Sequence, residues 1–200
     1  MNDTSPTRSA VIEMKDERRA MHEGYVFLDE KCLLLAGEIM RQLQQHARLQ
    51  AELLALCDTA AAALQDAVAR HGLQDLSIHP ATRLPPAPLR TEARSLMGVQ
   101  LQSAAWDAGE ATHGAPVMSS PEAKACRQAF ARLVAAAAPL AAVSGNLERL
   151  SLEYRRSVRR ARALQDVMLP ELDRDIADVE GRLEELEQED AIWMRRGIRA

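Results

Sequence analysis

The chain reads as all-α: a long antiparallel two-helix coiled coil with a short irregular or β-hairpin region at the turn-round tip. Three observations predict this. An unbroken hydrophobic seam runs over 11–67, a second runs over 147–193, and between them Pro80, Pro85, Pro86, Pro88, Gly98, Gly109, Gly114 and Pro116 erase helical periodicity. Neither stripe is stable alone in water, so each seam demands the other as its partner.

Composition supports a thin coiled coil over a compact ball. Aromatic residues make up only 3 % of the chain, so the large rings that fill a thick globular core are missing, while Ala, Leu, Glu, Arg and Gln favour helix. The net charge of -4 is mild, which argues against a nucleic-acid binder and against an acidic tail protein. Cys32, Cys57 and Cys126 are odd in number and widely separated, unlike a disulfide framework or a zinc site. No apolar signal core opens the sequence, and no apolar run approaches the roughly 18 residues of a spanning helix. Membrane association is therefore expected only through a partner, and the location cytoplasmic.

The first helix is predicted over 1–72. Ser5-Pro6 supplies cap chemistry: the hydroxyl accepts from an orphan backbone N–H, and proline sits where its missing donor costs nothing. The seam then follows Val11, Met14, Arg18, Met21, Tyr25, Leu28, Cys32, Leu35, Ile39, Gln42, His46, Leu49, Leu53, Leu56, Ala60, Ala63 and Ala67. Arg18, Gln42 and His46 are its polar intruders, and a polar seam residue ordinarily fixes register. Gly72, after Arg70 and His71, provides the stop.

Residues 73–120 form the tip. Within it Leu96, Val99 and Leu101 alternate around Met97-Gly98, the pattern of a short strand or hairpin near 89–102. The second helix is predicted over 121–200, opened by Ser120-Pro121-Glu122. Pro139 and Gly145 are positions of early bending. Its seam is Leu147, Leu150, Tyr154, Val158, Ala161, Leu164, Met168, Leu172, Ile176, Val179, Leu183, Leu186 and Trp193. Pro170 interrupts it, where the ring clashes with the carbonyl four residues back. If the ends meet, facing residue numbers sum to about 200 and the helices are about 100 Å long.

Catalytic machinery is missing from the sequence. There is no Gly-rich loop ending in Gly-Lys-Ser/Thr, and His22-Glu23 lacks the second histidine of a zinc-protease helix. No cofactor or metal is expected. Two surface features remain. Arg155, Arg156, Arg159, Arg160 and Arg162 form the densest basic run, either a solvated helix face or a contact for an acidic partner. The assumed register sets Arg41, His46 and Arg48 opposite it, which favours the contact. It has no aromatic platform for nucleic acid. Near the end, Trp193 and Met194 either complete the seam or form an apolar tip, and Arg195 and Arg196 complement the helix dipole.

Short stretches spread over the chain resemble the D subunit of V-type (archaeal and bacterial A/V-type) ATPases. They are Ser5-Pro6-Thr7-Arg8, Glu13-Met14-Lys15, Gly24, Leu28-Asp29-Glu30-Lys31, Ser95-Leu96-Met97-Gly98-Val99, and above all Arg162-Ala163-Leu164-Gln165-Asp166-Val167-Met168-Leu169-Pro170-Glu171-Leu172, with Ile176 and Arg182-Leu183-Glu184-Glu185-Leu186-Glu187. The ending from Ile192 to Arg199 departs from the family pattern, as does most of 80–121. The resemblance implies a non-catalytic central rotor subunit that couples ATP turnover in the head to ion translocation through the membrane ring. It also implies contacts with the catalytic and non-catalytic head subunits (A and B), with the small F subunit, and with the subunit linking the stalk to the ring. The partner contacts expected on this chain are Arg155, Arg156, Arg159, Arg160, Arg162, Trp193, Met194, Arg195 and Arg196. An F-type gamma subunit fits less well, because the region between the helices is too short for that family's larger α/β domain. A free-standing coiled-coil scaffold is the alternative of a different class.

Overall fold

A computed structural model describes residues 7–76, 79, 89–106 and 120–197. The elements in order are helix α1 (Arg8–Leu76), strands β1 (Leu89–Leu96) and β2 (Val99–Trp106), helix α2 (Pro121–Ala163), a π-helical turn over Leu164–Met168, and helix α3 (Leu169–Gly197). The fold is all-α with one small antiparallel hairpin, the class the two seams predict. The chain divides into two compact units, Met1–Leu34 with Tyr154–Ala200, and Leu35–Glu153.

The N-terminal seam is where the periodicity puts it. Every seam position over 11–67 except Arg18 is buried or half-buried, and Gln42 lies buried with them at 3 % exposure. Ser5-Pro6 lies outside the described residues. Thr7 is the observed cap: its Oγ1 accepts from the Ala10 N–H at 3.2 Å, and its carbonyl accepts from the Val11 N–H, satisfying donors that no earlier turn reaches. At the other end Gly72 adopts φ 75, ψ 163, which breaks the helix before a last short turn to Leu76. Only glycine holds that conformation cheaply.

In the first unit α1 and α3 run antiparallel. Arg8 meets Glu187 at 2.7 Å, Lys15 meets Glu180 at 2.6 Å and Arg18 pairs with Asp173. A sum of 200 would set Arg8 against Ile192, so the true register is shifted toward smaller numbers. Val11, Cys32, Ala161, Leu172, Ile176 and Val179 form this unit's core. Three seam assignments in the second half fail: Met168, Leu186 and Trp193 are exposed. For Met168 the cause is the π-helical turn. The Leu169 N–H donates to the Leu164 carbonyl, a wider loop than the α-helix makes, so four residues no longer complete a turn. Leu169 is rotated half-inward in place of Met168. That widened turn sits immediately before Pro170, whose ring needs the room and whose missing N–H leaves a ladder bond unmade. Trp193 lies beyond Glu187, the partner of the first residue of α1.

In the second unit Leu35, Leu101 and Leu150 are fully buried. α2 continues as one helix through Pro139 and Gly145, the two positions of expected bending. Its start is the predicted one: the Ser120 Oγ accepts from the Ala123 N–H at 3.1 Å. The Ser120 hydroxyl gives its proton to Glu122 at 3.1 Å. His71 Nε2, 2.6 Å away, is then the donor to the same oxygen. The last residues of α1 are thus tied to the first of α2. Within 121–197 one window of 18 residues has a mean hydropathy of 1.4, enough to cross a membrane by length and composition alone. Alanines such as those at 135–138 raise hydropathy without adding bulk, which is why the stretch does not stand out as a run of large apolar side chains.

Candidate partner interface

The hairpin and the helix faces beneath it form the most elaborate polar arrangement among the described residues. Met97 and Gly98 both have positive φ, 48 and 84, the signature of a two-residue turn whose twist matches the strands it joins. Leu96 pairs with Val99, and the register continues through Arg94 with Leu101 and Ala93 with Gln102. The strands extend to Trp106, four residues beyond the predicted end. Val99 and Leu101 are buried while β1 is exposed along nearly its whole length, so the hairpin docks through β2.

Two polar anchors hold it. The Asn146 side chain accepts from the Gln102 N–H at 2.8 Å and donates to the Gln102 carbonyl at 2.7 Å, standing in for a neighbouring strand. Asn146 Oδ1 also accepts from Arg149 at 2.8 Å. The second anchor is Glu38, one of whose carboxylate oxygens takes Arg94 of β1 at 2.6 Å, Arg41 at 2.5 Å and Gln42 at 2.9 Å. These donors, with Arg41 first and against the opposing effect of burial, hold the Glu38 carboxyl down to about 2. Since the carboxylate can only accept, Gln42 turns its amide nitrogen toward it, leaving Gln42 Oε1 buried without a partner among the described residues. A cavity of about 320 Å³ lies beside these anchors, lined by Arg41, Gln42, Glu92, Ala93, Pro139 and Val143 among others.

The surface residues singled out from sequence are dispersed. Arg155, Arg156, Arg159, Arg160 and Arg162 are exposed on α2, and none takes part in a hydrogen bond or ion pair among the described residues. A Cβ on Gly24 would lie 3.9 Å from Leu164 Cδ1, which places these two helix positions side by side. Arg41 is bound to Glu38. Trp193 and Met194 are 72 % and 65 % exposed, and Arg195 and Arg196 occupy the last turn of α3.

Sequence reading missed Glu38, Arg94, Gln102 and Asn146. Asn146 carried a signal: it falls between Val143 and Leu150 at steps of three and four, a polar residue in phase with the seam. Glu38 and Arg94 carried none, as their pairing spans the turn-round. No group of three or more His, Cys, Asp or Glu able to hold a metal occurs among the described residues.

Comparison with known proteins agrees with this architecture. A family model for the D subunit of ATP synthase matches residues 10–196. The D subunit of the V-type ATP synthase of Thermotoga neapolitana is 25 % identical over 194 residues, 96 % of this chain and 95 % of that protein. That of Anaeromyxobacter dehalogenans is 27 % identical over 202 residues, covering 98 % and 96 %. The D subunit of the A-type ATP synthase of Thermococcus kodakarensis is 26 % identical over 196 residues, covering 96 % and 91 %.

Proposed function

The chain belongs to the family of ATP synthase D subunits, and from that membership we propose that it is the central-stalk rotor of a V/A-type rotary ATPase, without an active site of its own. The family match across almost the whole chain carries the reading. The antiparallel pairing of α1 with α3 and the exposed, unneutralised arginines support it.

In this role ATP is turned over by the head subunits, A and B, while this chain transmits rotation to the membrane ring. Its faces differ around the axis, so each catalytic interface meets a different surface and is biased toward a different state, and rotation exchanges those states. Arg155, Arg156, Arg159, Arg160 and Arg162 contact the lower rim of the head, and Trp193, Met194, Arg195 and Arg196 enter its upper bearing. The F subunit and the subunit linking stalk to ring complete the rotor, with 1–72 and 121–200 as its helical segments and 73–120 as the tip. The chain sits at the cytoplasmic side of the membrane and meets it through the complex.

The test is co-expression with the head subunits of the same ATPase, followed by purification through a tag on one of those head proteins. Stoichiometric recovery of this chain is expected. A chain that never enters the complex and self-associates instead would be a scaffold, and the rotor reading would fall.

A further inference from the structure

We draw no further inference here: the strongest candidate, the second heptad stripe of α1 at Met40, Leu43, Ala47, Leu54, Ala61 and Leu64, lies exposed on the flank of the helix beside its buried seam, and nothing in the structure shows what covers it.

Discussion

The side-chain amide of Asn146 satisfies both outward polar groups of the Gln102 backbone, accepting from its N–H at 2.8 Å and donating to its carbonyl at 2.7 Å. Asn146 is itself 3 % exposed, so water cannot replace it without local opening. Asn146→Ala leaves a donor and an acceptor unpaired and is expected to destabilise the protein by about 2–4 kcal/mol. Urea denaturation is the measurement: the midpoint falls while the slope is kept.

Glu38 links stability to acid. Its carboxyl is held down to about 2 from an ordinary 4.5 by Arg41, Gln42 and Arg94. A depressed carboxyl stabilises the folded state fully above its unfolded value and loses that contribution as pH falls through the folded one. Stability therefore drops between pH 4.5 and 2, by about 2–3 kcal/mol from this group. Thermal melts over that range are expected to show the drop, and Glu38→Gln is expected to flatten it and to lower stability at neutral pH.

Gly24 is a site for stabilisation. It lies inside α1, and a Cβ there meets only Leu164 Cδ1 at 3.9 Å, an ordinary contact distance. Gly24→Ala removes the backbone entropy cost of glycine in a helix without a clash, worth about 0.5–1 kcal/mol. The melting temperature of the variant is expected to rise; a fall would show that the helices approach more closely there.

The cysteines should separate by reactivity. Cys57 is exposed, whereas Cys32 is buried, and burial together with Asp29 pushes the Cys32 thiol up against a smaller opposing effect of Lys31. Attack requires the thiolate and access to it. Thiol labelling of the native protein at mildly alkaline pH is expected to modify Cys57 rapidly and Cys32 only on unfolding, as read by mass spectrometry of the labelled peptides.

How much of this was legible beforehand differs along the chain. The α1 seam was readable because heptad spacing and burial obey one periodicity, and only Arg18 escaped it. The Ser120 cap was readable because its partner, the Ala123 N–H, is three residues away. Met168 was misplaced because a pattern in steps of three and four assumes an α-helix throughout, and the π-helical turn changes the angle per residue before Pro170. The sum of 200 was too high for the pairing of α1 with α3, where Arg8 meets Glu187 and Lys15 meets Glu180, because antiparallel register is a distance relation that no local pattern encodes.

By itself the sequence determined the elements: apolar spacing and capping chemistry specify the helices, and Met97-Gly98 between alternating residues specifies the turn. Tertiary structure alone decided what those elements hold. Asn146 reaches Gln102 across 44 residues and Glu38 reaches Arg94 across 56, and each bond exists only once the chain has doubled back. Local free energies choose helix or strand residue by residue, whereas which carboxylate is desolvated, and which strand edge a helix side chain closes, depends on what the fold brings within about 3 Å.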